Sequence, residues 1–181
     1  MKTINYTIQT FLLCSSILFF SCEKEAPELV EEQELITTVT LEFLAEGEPS
    51  QTLRWQMDNV NPETATLKVN TPYTVRVAFL DESDPGDIED ITQEVQEEAD
   101  VHQVFFEFSD LNIDFSSGAS DVRDSQNNPL YLQSIWNATA TGTGMVRVYL
   151  IHEPTSKSST SRSGFGGETD VAVDFPIRIV E

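Results

Sequence analysis

Val171, Val173, Phe175, Ile177 and Ile179 are separated by Ala172, Asp174, Pro176 and Arg178. Side chains of an extended strand point to opposite faces in turn, so this spacing buries one face and leaves the other wet. The same period of two recurs at Val39, Leu41 and Phe43, and at Leu53, Trp55 and Met57. It appears again at 64–69, 73–81, 102–109 and 145–152, with Gly, Pro, Asn and Asp clusters between the runs. Seven or more short strands without alternating helices predict an all-β fold, an antiparallel two-layer sandwich over residues 35–181. An immunoglobulin-like strand order is the preferred arrangement, and a small barrel or jelly roll would use the same pattern. One segment breaks the period: Asp87 is placed to cap a helix whose apolar residues Ile88, Ile91, Val95 and Ala99 follow helical spacing. Two loops stand out, 116–130 and the Ser-, Thr- and Gly-rich 154–168, the second expected to be mobile.

The first 21 residues read as an export signal. Lys2 precedes the apolar run Phe11–Phe20, which is too short to span a bilayer comfortably, and Ser21 precedes Cys22. Leu18-Phe19-Phe20-Ser21-Cys22 resembles a lipobox, which makes Cys22 the acyl-accepting residue and predicts attachment to a membrane through a lipid anchor. Residues 22–34 are rich in glutamate and poor in apolar side chains, so they are expected to form a disordered acidic stalk. Cys14 lies in the leader, so the exported domain can form no internal disulfide and must rely on packing.

There are 31 acids against 10 bases, a net charge of −21. That excess repels phosphate backbones, which argues against nucleic acid as a partner, and it concentrates cations near the surface. Ten of the acids fall between 81 and 100, with no Lys or Arg among them. The two histidines then become informative. His102 is in phase with Val104, Phe106 and Phe108 at the start of its strand, and His152 is in phase with Val146, Val148 and Leu150 at the end of its own. Antiparallel pairing would bring both to one rim of the sandwich. Chain connectivity would add Glu98, Glu153, Glu168 and Asp170 to that rim. Two imidazoles with nearby carboxylates suit Zn²⁺ or another divalent first-row ion. The same residues also fit two partly buried histidines that merely hydrogen-bond carboxylates.

Other motifs fail. Asp81, Ser83 and Gly86 sit as in a calcium loop, but Pro85 occupies a ligand position and Thr92 stands where the bidentate glutamate belongs. No strained nucleophile turn with a histidine partner is present, so the chain is expected not to be an enzyme. Trp55 alternates with core residues. Trp136 falls outside any recognised strand and is the candidate for stacking on a sugar, the basis of an alternative reading as a non-catalytic adhesion or glycan-binding module.

Cys22-Glu23-Lys24-Glu25 resembles the acidic export signal of surface lipoproteins in Bacteroidota. The blocks Glu97-Glu98-Ala99-Asp100-Val101-His102-Gln103-Val104-Phe105-Phe106, His152-Glu153-Pro154 and Gly166-Gly167-Glu168-Thr169-Asp170 resemble a family of small Bacteroidota outer-membrane lipoproteins. That resemblance implies a surface-exposed protein at the outer membrane that captures a ligand, a metal ion among the candidates, for an uptake receptor.

Overall fold

Residues 34–58 and 62–181 are described in a computed structural model of the chain. The expected leader, Cys22 and the stalk as far as Gln33 lie outside them. The described residues form nine strands and two short helices; the strands are β1 (Thr38–Leu44), β2 (Gln51–Gln56), β3 (Ala65–Lys68), β4 (Pro72–Leu80), β5 (His102–Ser109), β6 (Ile113–Ser117), β7 (Gln133–Ala138), β8 (Gly142–His152) and β9 (Glu168–Val180). The helices, α1 (Ile91–Glu97) and α2 (Arg162–Phe165), lie between β4 and β5 and between β8 and β9.

The strands form two sheets, one in the order β2-β1-β4-β7-β6 and the other β3-β9-β8-β5. All neighbours are antiparallel except β3, which runs parallel to β9. The run β1-β4-β7-β6 facing β9-β8-β5 has the neighbour order of the immunoglobulin sandwich, with β2 and β3 added at the edges. Alternation does the work expected of it. Val39, Leu41 and Phe43 from one sheet and Val171, Val173, Phe175, Ile177 and Ile179 from the other fill a common core.

Strands β6 and β7 are absent from the sequence-based set, and the reason is chemical. The inward positions of β7 are Ser134, Trp136 and Ala138, so the apolar period is interrupted by a hydroxyl and a methyl. Ser134 is nevertheless fully buried, because its Oγ accepts the Trp136 indole N–H at 2.9 Å. Trp136 is 0 % exposed and meets Phe43, Phe106 and Phe108 edge-on, with ring centroids 5.6, 5.1 and 4.9 Å away. A sugar cannot reach that ring, which removes it as a glycan-stacking residue.

The helix is also shorter than its spacing predicts. The backbones of Asp81 and Glu89 bond to each other in an antiparallel bridge, which holds residue 89 extended and leaves Ile88 exposed. Asp90, not Asp87, is the cap: its carboxylate accepts the Thr92 N–H at 3.1 Å. Thr92 then docks α1 on β4, its hydroxyl accepting from the Phe79 N–H at 2.9 Å and donating to the Phe79 carbonyl at 3.1 Å.

The 154–168 segment is tied down. Phe165 from α2 packs with Phe105, Tyr149 and Ile151 on the outer face of the second sheet. Lys157 reaches across to donate to the Ala99 carbonyl and to pair with Asp124 at 3.3 Å, their side chains 9 % and 3 % exposed. Only glycine fits at 167: its φ is +62°, and a Cβ there would lie 2.2 Å from the His152 carbonyl oxygen.

Candidate metal centre

The register places the site. Thr38 pairs with Leu80, His102 with His152, and His152 with Glu168. Within each sheet the relevant strand ends therefore coincide, and α1 connects the end of β4 to the start of β5.

His102 opens β5 on its inward face and is 2 % exposed. Its Nδ1 lies 3.2 Å from the backbone oxygen of Glu98, the residue that ends α1. A carbonyl oxygen only accepts, so the neutral ring carries its proton on Nδ1 and its lone pair on Nε2, a tautomer assigned from that hydrogen bond. That is the arrangement by which a backbone carbonyl orients a metal-ligating imidazole. The Nε2 lone pair faces Glu34 Oε1 at 3.7 Å, too far for a hydrogen bond. The Glu34 side chain is 13 % exposed, and its Oε2 is buried with no hydrogen-bond partner.

Glu98 completes the cluster. One ligand atom each from Glu34, Glu98 and His102 lie within 4.8 Å of one another. Two ligands held tetrahedrally on zinc are separated by about 3.4 Å, so a small closure of these three groups would enclose an ion.

Of the six residues expected at this rim, His102 and Glu98 belong to the converging set and the others are disposed around it. The imidazoles do meet, stacked with centroids 5.0 Å apart and planes 12° from parallel. The group of ligand atoms within 4.8 Å of one another takes in His102 and not His152, whose ring lies beside that of His102. Asp170 is the extra residue where the β8–β9 register slips, since Leu150 pairs with Val171 while Ile151 pairs with Thr169. A bulge of this kind re-aims a side chain, and Asp170 Oδ2 is buried without a hydrogen-bond partner. Glu153 and Glu168 are exposed and lie outside the converging trio.

Glu34 escaped sequence reasoning because it sits at the end of a glutamate-rich segment that reads as stalk. It belongs to the compact unit that starts at Gln33. No local spacing marks it, since its partners are about 64 and 68 positions away along the chain. No family model, curated protein or solved structure matches this chain. The reading of the site therefore stands on its geometry and electrostatics.

Burial pushes the Glu34 carboxyl up to about 7, with the charges of Glu94, Asp170, Glu98 and Glu89 adding to the effect. Asp170 is raised too, by burial first and then by Glu168, against the pull of His152. His102 is lowered, chiefly by burial, with the Glu98 carbonyl opposing the shift. Each shift has a sign for stability. A carboxyl raised on folding stabilises the fold below its unfolded value and loses that contribution as pH rises through 7. An imidazole lowered on folding costs stability as pH falls below 6.5, the ordinary value, because the unfolded ring then takes up the proton. The two effects oppose each other below about pH 6.5, and above it only the Glu34 loss continues until that carboxyl is ionised, so the metal-free domain should be most stable at about pH 5 to 6 and weaker by pH 8, by about 1 kcal/mol after discounting for solvent screening. Glu34→Gln should flatten the alkaline side in a series of thermal melts. An unchanged alkaline slope would show that Glu34 does not hold a raised carboxyl.

Proposed function

We propose that this chain is a non-catalytic, lipid-anchored binding protein that captures a divalent transition-metal ion of the zinc class. Glu34, Glu98 and His102 are the ligands, with His152 and Asp170 beside them. The observation that carries the reading is the buried His102 imidazole, whose Nε2 lies 3.7 Å from Glu34 Oε1, with the other oxygen of that carboxylate, Oε2, buried and without a hydrogen-bond partner. A proton on Glu34 or a cation between the two groups relieves that contact, and above pH 7, where the carboxyl is ionised, a metal ion can take the proton's place.

The ligand set is two oxygens and one nitrogen with no sulfur, which favours zinc, manganese or cobalt over soft ions such as copper(I). Three protein ligands leave a coordination position open, as suits an ion that is taken up and passed on. The leader and Cys22 support export and attachment to the outer membrane, and the acidic sequence behind Cys22 supports a surface location. An uptake receptor is the partner this places next in line.

Zinc titrated calorimetrically into the exported chain, prepared without its acyl anchor, should give saturable binding at pH 7.5. Glu34→Gln should weaken it by about 100-fold, since loss of supporting contacts around a metal already costs 10- to 100-fold. Equal heats from wild type and variant would sink the assignment.

A further inference from the structure

We infer that the acidic groove beside α1 is the route by which a hydrated divalent cation reaches the buried ligands, with Glu98 as the residue that passes it inward. The inference rests on the metal reading above. It begins with a gradient of exposure within the trio: Glu98 is exposed, the Glu34 side chain is 13 % exposed and His102 is 2 % exposed. An ion arriving from solvent meets Glu98 first.

Glu98 also lines a surface groove with Asp87, Glu89, Asp90, Glu94 and Glu97, and no basic side chain is among the described residues that line it. One carboxylate thus belongs to both the groove and the converging set. The field of the groove extends into the site, because Glu94, Glu98 and Glu89 all raise the Glu34 carboxyl.

The arrangement is costly for the helix. Glu94 and Glu98 repel each other one turn apart, and Glu97 and Glu98 crowd the negative end of the helix dipole, with no basic residue in the last turn. That cost is offset when the groove holds a passing cation. Carboxylates on one wall raise the local concentration of a divalent ion and so its rate of association, while leaving its dissociation from the inner ligands unchanged.

Stopped-flow mixing of the anchor-free chain with cobalt(II), whose absorption reports ligation, tests this at low and high ionic strength. The groove variant carries Glu89→Gln, Glu94→Gln and Glu97→Gln. The control carries Glu46→Gln, Asp110→Asn and Asp114→Asn, which removes the same charge at the opposite end of the sandwich. The groove variant should associate about five- to tenfold more slowly at low salt, with dissociation unchanged and the difference lost at high salt. The control should associate like wild type. Equal slowing in both variants, or a change confined to dissociation, overturns the route while leaving the binding site intact. Failure of wild type to bind cobalt(II) or zinc at all removes the site itself, and the route with it.

Discussion

Trp136→Ala is expected to cost about 4 kcal/mol, the largest loss from any single side chain in the domain. The indole is fully buried where three phenylalanines from both sheets converge, and its N–H is satisfied by Ser134. Truncation would leave a cavity between the sheets and an unpartnered serine hydroxyl, two separate penalties. Against a whole-domain stability of roughly 5–15 kcal/mol, that is enough to shift a urea transition far to the left. Trp136→Phe should recover part of the loss, because it keeps one aromatic ring in the site while giving up the second ring of the indole and the hydrogen bond. A Trp136→Ala transition that coincides with wild type would mean the ring is not part of the core.

The second large effect is expected at Lys157, whose replacement by methionine should cost about 3 kcal/mol. The aliphatic stem survives in that variant, but Asp124 is left buried without its cation. Burial raises the Asp124 carboxyl, yet hydrogen bonds from the Asn128 side chain and backbone and from Lys157 outweigh it and hold it below its ordinary value. A carboxyl lowered on folding contributes stability above its unfolded pKa and loses it as pH falls through the folded one. The penalty of Lys157→Met should therefore be full at neutral pH and shrink in acid below about pH 4. Adding Asp124→Asn should restore a good part of the loss, since the unpaired charge is then gone. Because Lys157 also holds the Ala99 carbonyl, next to Glu98, loosening it should disturb the proposed metal site. A zinc affinity that falls together with stability would confirm that the 154–168 segment braces the site. A double variant no more stable than Lys157→Met would show that the pair is not what the segment depends on.

Much of the fold is readable residue by residue. Strands with clean alternation, such as β1, β5 and β9, lie where their apolar residues predict, because each period of two meets the opposite sheet. Strand β7 is hidden in the sequence because its inward Ser134 is polar and its inward Ala138 is small, which leaves a weak apolar period and makes a core tryptophan look like a surface ligand. The helix boundary moved because a backbone bridge between Asp81 and Glu89 claimed residues that its apolar spacing assigned to α1. The loop after β8 reads as mobile from its serines, yet Lys157 and Phe165 anchor it through contacts that composition cannot express.

The site divides in the same way. Side-chain period puts the two lone histidines in phase with their strands at opposite strand ends, so that antiparallel pairing, once given, brings them to one rim. The sequence also determined the surplus of carboxylates around them. Which of those groups converge depends on how the segments pack in three dimensions. That packing brought in Glu34 from the approach to β1, turned Asp170 at a bulge, and stacked His152 flat against His102. Those choices depend on angles and distances between segments far apart in the chain, and periodicity within a segment carries no record of them.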